Sequence, residues 1–314
     1  RNMKRFLLAA TALLVGAGWA GAQDLTGAGS TFAAPIYNKW ADAYAKQTGV
    51  KINYASVGSG AGIRQISEMT VAFGGTDGPM TSAQMAAAKG GPILHIPTVI
   101  GAVAISYNLP GVTAPLKLDG AVVADIYLGR ITKWNDSRVA ALNPGVALPD
   151  EPIIVAHRSD GSGTTYIVTD YLSAVSAAWA SGPGKGTAIS WPVGLGAKGN
   201  EGVAGQVRQI EGAIGYVELA YVLTNHMAYA VVKNRAGKYV APSLDGATAA
   251  AAGTAAALPA KSDFRVSIVN APGAAAYPIS SFTWILMYTH QTDAAKGRKL
   301  VAFIKWTMTS PSRS

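Results

Sequence analysis

The chain has 314 residues, enough for a sizeable core and, at roughly 100–200 residues per domain, for two domains. Hydrophobic residues make up 49% and charged residues 14%, with 7 Trp and 13 Tyr, which excludes intrinsic disorder. The net charge is +9, yet the basic residues are scattered with no run of five, so the stripe that nucleic-acid binding needs is missing and only a mild pull on small anions follows.

Residues 1–22 read as a signal peptide. Met3 reads as the initiator, Lys4 and Arg5 form a positive start, Phe6 to Val15 a short apolar core, and Ala20-Gly21-Ala22 a cleavage signal. That core is shorter than the about 20 residues a membrane span needs. Cleavage before Gln23 removes Arg1, Lys4 and Arg5 and leaves a charge near +6. The absence of cysteine, in an exported chain, excludes a disulfide framework and a lipidated cysteine and points to a bacterial periplasm.

Short β-like runs then alternate with helical stretches, each change marked by Gly, Ser or Pro. Helices are expected over 35–47, where Ile36, Trp40 and Tyr44 recur at helical spacing, and over 63–69, 121–128, 164–175, 202–210, 247–257 and 294–307. Strands are expected over 51–57, 71–73, 99–107, 153–157, 213–217 and 278–288. This alternation predicts an α/β fold with mostly parallel sheets.

Three glycine-rich corners share one design: Thr26-Gly27-Ala28-Gly29-Ser30-Thr31-Phe32, Gly58-Ser59-Gly60-Ala61-Gly62 and Ser159-Asp160-Gly161-Ser162-Gly163-Thr164-Thr165. Each sets small residues and hydroxyls before a predicted helix, whose unpaired N–H groups and partial positive charge suit an anion. Each alone also reads as an ordinary turn and N-cap. Walker A and G-x-G-x-x-G spacings are both absent. Arg158, just before the third corner, offers a planar fork for an oxyanion, and Asp160 is close enough in sequence to orient it. Asp77, in Gly74-Gly75-Thr76-Asp77-Gly78-Pro79, reads as an Asx turn or, more sharply, as an acceptor for a proton carried by the anion. Hydrogen phosphate carries such a proton; sulfate at neutral pH does not.

The blocks TGAGSTFAAPIYNKWADAYAKQTG, GSGAG, FGGTDGP, DIYLGRITKWND, RSDGSGTT, WPVGLGAKGNEGV and GAIGYVELAY, in order from about Asp24 to the last helix, resemble the periplasmic phosphate-binding protein of the ABC-type phosphate uptake system. The resemblance implies a two-lobed α/β binding-protein fold (type II) with a hinge and the ligand cleft between the lobes. It implies a first lobe from 23–97 plus about 240–314, and a second from 98 to about 239. It implies phosphate held by Thr31, the N–H of Phe32, Ser59, Asp77, Arg158, Ser162, Gly163 and Thr164, with Asp160 orienting the arginine. A monomer delivering inorganic phosphate to a membrane permease and ATPase, without metal or cofactor, completes the expectation. The family usually continues beyond the last helix here, and Ser310-Pro311-Ser312-Arg313-Ser314 does not match that continuation, so a C-terminal truncation is expected.

Rival classes fare less well. Ser162 with His157 nearby suggests a hydrolase, but G-x-S-x-G would need glycines at Asp160 and Thr164. His95, His157, His226 and His290 are widely separated, unlike a metallophosphatase cluster. Among other oxyanions, Asp77 weighs against sulfate and molybdate, while arsenate shares the proton and remains open. A structural or adhesion role would not require such corners.

Overall fold

A computed structural model describes residues 24–255 and 263–309. The expected signal peptide, the end of the 247–257 helix and Ser310–Ser314 lie outside the described residues.

The first unit comprises β1 (Leu25–Gly29), α1 (Ala34–Thr48), β2 (Ile52–Ser56), α2 (Ser59–Ser67), β3 (Phe73–Thr76), α3 (Ser82–Ala86) and β4 (Ile93–Tyr107). Next come β5 (Lys117–Leu118), α4 (Gly120–Tyr127), α5 (Ser137–Leu142), β6 (Ile154–Arg158), α6 (Gly163–Val175), α7 (Ala177–Ser181), β7 (Leu195–Ala197), α8 (Gly199–Gln209) and β8 (Ala213–Glu218). The chain continues through α9 (Leu219–Thr224), β9 (Ala228–Tyr229), β10 (Val231–Lys233), β11 (Tyr239–Val240), α10 (Leu244–Ala255), β12 (Ser280–Tyr288) and α11 (Ala294–Thr309).

The strands line up as β2-β1-β3-β12-β4-β8-β6-β7. β1 is parallel to β2 and β3, and β6 is parallel to β7 and β8, as helix crossovers require. Between these halves, β12 and β4 run antiparallel to each other and to β3 and β8. The expected mostly parallel sheet is therefore corrected to a mixed one. Helix crossovers build each half, but the two long strands that join the halves oppose their neighbours.

Each half packs its own core, which makes the architecture two-lobed. Tyr37, Tyr44, Phe73, Ile285 and Phe303 fill one; Ile105, Trp134, Tyr171, Trp179 and Tyr216 fill the other. Ala247, Tyr277 and Ile279 belong to the second core as well. Helix α1 shows the local logic. Pro35 opens it, Gly49 in a left-handed conformation (φ 75°) closes it, and Tyr37, Ala41 and Tyr44 face inward. Ile36 and Trp40, expected on the inner stripe, flank it half-buried.

Two strands depart from expectation for physical reasons. β4 runs from Ile93 straight through Pro97, where a strand was expected only from Val99. Proline lacks a ladder N–H, and the register with β12 slips between Thr283 and Trp284, the partner of Pro97, which relieves the mismatch. β3 lies at 73–76 rather than 71–73, and its glycines make it a close-packed central strand. A Cβ on Gly29 would sit 2.0 Å from the Gly75 carbonyl oxygen, and its φ of 144° excludes most side chains besides. Gly29→Ala should therefore destabilise the protein by about 2–3 kcal/mol in urea unfolding. Gly205→Ala, in helix α8 with open space around it, should be neutral or stabilising. Equal stability of the two variants would contradict this packing.

Candidate functional site

Three strand-to-helix corners meet between the lobes. β1 delivers Ser30, Thr31 and Phe32 to the start of α1; Ser59 opens α2; Asp77 follows β3. From the other lobe, β6 ends on Arg158, and Ser162 caps α6 by accepting the Thr165 N–H at 3.0 Å. Gly163 and Thr164 open α6, so their N–H groups have no acceptor within the helix. Thr31, Phe32, Ser59, Asp77, Arg158, Ser162 and Thr164 are each at most 3% exposed. The lobes touch here. The Gly60 N–H donates to the Gly161 carbonyl at 2.9 Å. A Cβ on Gly163 would lie 2.4 Å from Asp77 Oδ2 and from Ser59 Oγ, so only glycine lets α6 approach the carboxylate this closely.

Asp77 is surrounded by hydroxyls. Ser30 Oγ (2.5 Å) and Thr283 Oγ1 (2.7 Å) both donate to Oδ1, which saturates that oxygen. Among the described residues, Oδ2 accepts only a long contact, 3.3 Å, from Ser59 Oγ, and keeps capacity toward the α6 N-terminus. Burial pushes the acid up to about 6, opposed by the Ser30 and Thr283 hydrogen bonds, the Arg158 charge and Ser59. At neutral pH the group is mostly an ionised acceptor.

Arg158 faces it as the donor side. Its Nε and Nη2 grip Asp160 at 2.7 and 2.6 Å, and Nη1 donates to Thr31 Oγ1 at 3.1 Å. Two of its five N–H groups remain for a ligand. Burial works to raise the Asp160 pKa, but the Arg158 hydrogen bonds and charge and the Gly199 N–H outweigh it and hold the carboxyl below its usual range.

All the site residues expected from sequence thus come together. Sequence reading missed four further members. Ser30 stood in a quoted corner, but its neighbours were chosen. Asn200, in the glycine-rich Gly196-Ala197-Lys198-Gly199 approach to α8, donates Nδ2 to Thr31 Oγ1 (2.7 Å) and to Thr164 Oγ1 (3.1 Å). The start of α8 at Gly199, three residues before the expected 202, places Asn200 there. Thr283 and Glu218 carry no local signal.

Glu218, 9% exposed, caps α9 by accepting the Ala220 N–H at 2.8 Å. Burial pushes its carboxyl up to about 8, with the Ala220 N–H opposing and the Asp77 charge adding. An acid raised in the folded state contributes stability that is full below the ordinary value of 4.5 and is lost as pH rises through about 8. Glu218→Gln, neutral at every pH, should gain stability over the wild type progressively from pH 5 to pH 8 in thermal unfolding. A difference constant across that range would contradict the burial of an ionisable Glu218.

Comparisons with known proteins identify the family. The PBP superfamily domain matches residues 15–311. Phosphate-binding protein PstS of Xylella fastidiosa (strain 9a5c) is 47% identical over 284 residues, covering 90% of this chain and 77% of that protein. Phosphate-binding protein PstS of Pasteurella multocida is 46% identical over 286 residues, covering 91% and 82%. A crystal structure of a phosphate-binding protein from Stenotrophomonas maltophilia superposes with a TM-score of 0.71 at 22% identity, covering 91% of this chain and 84% of that one. The resemblance seen in the sequence blocks is therefore family membership: the chain belongs to the PBP superfamily and, within it, to the PstS phosphate-binding proteins.

Proposed function

We propose that the protein captures inorganic phosphate reversibly between its lobes and, in the periplasm, hands it to the permease and ATPase of an ABC transporter. The observation that carries this reading is the buried Asp77, an acceptor with one unsaturated oxygen set among donors. A carboxylate in an anion site is tolerable only if the anion brings a proton, and Oδ2 is the oxygen to take it. Arg158 neutralises charge through its two remaining N–H groups. The N–H groups of Phe32 and Gly163, with the hydroxyls of Thr31, Ser59, Ser162 and Thr164, complete the cradle, Ser59 turning from Asp77 to the ligand.

Capture without chemistry is favoured by the roles the side chains already hold. Ser162 serves as an N-cap. His157 pairs through Nδ1 with the Arg158 carbonyl oxygen at 3.1 Å and stacks on Trp191 at 4.8 Å, so it is engaged away from Ser162. We place the crossings between the lobes at β4 and β12. The packing of Ala247, Tyr277 and Ile279 in the second core supports a return crossing at β12 rather than at about 240, as expected from sequence. The protein acts as a monomer in this reading.

Calorimetry of the wild type should show sulfate weaker than phosphate by about 10⁴-fold, the discrimination a required buried partner can supply. Asp77→Asn, which turns an acceptor into a donor, should narrow that gap. Acidification through about 6 protonates Asp77 and should strengthen sulfate binding by the wild type but not by Asp77→Asn. Equal affinity of the wild type for both anions at neutral pH overturns the reading.

A further inference from the structure

Behind the candidate ligand groups lies a side chain that meets no part of a bound anion in the reading above. Asn200 is fully buried in the first turn of α8. Its Oδ1 accepts the backbone N–H of Glu218 at 2.9 Å. A backbone N–H can only donate, so the orientation of this amide is not open to a flip: Oδ1 faces Glu218, and Nδ2 must face the threonines. Both Nδ2 protons then have an assigned acceptor, Thr31 Oγ1 at 2.7 Å from one lobe and Thr164 Oγ1 at 3.1 Å from the other.

A hydroxyl is ambivalent, with one proton and two lone pairs on a free rotor. Thr31 Oγ1 also receives Arg158 Nη1 at 3.1 Å and the Asn200 N–H at 3.4 Å. With its lone pairs occupied by donors, its proton must turn away from them, toward the cleft. Thr164 is pushed the same way by the second amide proton. Without the amide, Thr31 Oγ1 and Thr164 Oγ1 would each lose a donor, and neither proton would be held toward the cleft by it. The same turn of α8 donates the Gly199 N–H to Asp160 Oδ1 at 3.2 Å, and Asp160 in turn clamps Arg158.

We propose that Asn200 is a positioning residue that fixes the Thr31 and Thr164 hydroxyls as donors aimed at the bound anion, so that the ligand finds them already turned. The benefit is preorganisation: donors fixed before the anion arrives need no reorientation when it binds. The inference rests on the phosphate reading and adds to it a polarity set from behind the site, one residue spanning both lobes. Charged and titratable groups around the amide are Arg158 on β6, Asp160 in the loop after it, Asp77 after β3, Glu218 and Tyr221 at the β8–α9 junction, and Glu201 on α8 itself.

The test is phosphate calorimetry on the full chain as wild type, Asn200→Ala and Asn200→Asp between pH 5 and pH 8. Each variant is compared with the wild type at the same pH, which removes the titration of the ligand and of the neighbouring acids. Asn200→Ala, which leaves buried hydroxyls without their donors, should bind about 10–100-fold more weakly at every pH. Asn200→Asp should bind more weakly still at pH 8, because a carboxylate draws the threonine protons to itself. Its deficit should shrink on acidification, as the introduced acid gains a proton and becomes a donor again. Repulsion between the introduced carboxylate and the anion relaxes on acidification too, so the Asn200→Asp profile counts only together with the Asn200→Ala loss, to which no added charge contributes. An Asn200→Ala affinity within twofold of the wild type, or an Asn200→Asp deficit constant with pH, overturns the inference. Should the variants fail to fold, neutron diffraction of the wild-type phosphate complex decides: the Thr31 hydroxyl deuterium on the anion supports the proposal, and on Asn200 overturns it. A wild type that does not bind phosphate refutes the parent reading; a wild type that binds, with indifferent Asn200 variants, refutes only this one.

Discussion

A carboxylate buried at a meeting of helix N-termini is the constraint around which the site is organised. Asp77 is 1% exposed, and its burial would neutralise it were it not for hydroxyl donors from three separate elements. Ser30 comes from the end of β1, Ser59 from the start of α2 and Thr283 from β12, the strand that links the lobes. The fold must bring all three to one point before the acid can stay ionised near neutral pH. The mixed sheet achieves this, because β12 lies beside β3 and so sets Thr283 against the loop that follows β3.

Opposite this acceptor stands a donor surface from the second lobe, arranged in two layers. Arg158 and the first turn of α6 form the inner layer. Asp160, Asn200 and the first turn of α8 form the outer one, holding the arginine fork and the threonine oxygens in place. In the proposed reading, the cleft sets the Asp77 acceptor among these donors. On that proposal, discrimination comes from counting protons on the ligand rather than from shape, which tetrahedral oxyanions share.

Local features were legible in the sequence because their chemistry is local. A glycine turn followed by Ser or Thr and a helical period suggests a helix N-terminus, and the three corners followed from that; Arg158 was read from its fork before the third corner and Asp77 from its place beside a glycine turn, while their assembly into one site came from the family resemblance. What escaped was set by the tertiary arrangement. Thr283 lies 206 residues from the acid it serves, in a strand where a threonine is unremarkable. Asn200 depends on α8 beginning earlier than its apolar period suggests. The glycines of β3 looked like loop because their packing against Gly29 and Tyr54 involves residues distant in the chain. Pro97 obscured the length of β4 because the register slip that accommodates it, which leaves Thr98 of β4 without a partner between Thr283 and Trp284, shows only once β4 is paired with β12.

The most direct measurement is a crystal structure of the phosphate-saturated protein. The account predicts a phosphate oxygen within about 2.5–2.7 Å of Asp77 Oδ2, the short range of a hydroxyl donating to a carboxylate, with Arg158 on the opposite side of the ion. Phosphate bound with its oxygens turned away from Asp77, or bound elsewhere in the molecule, would contradict it.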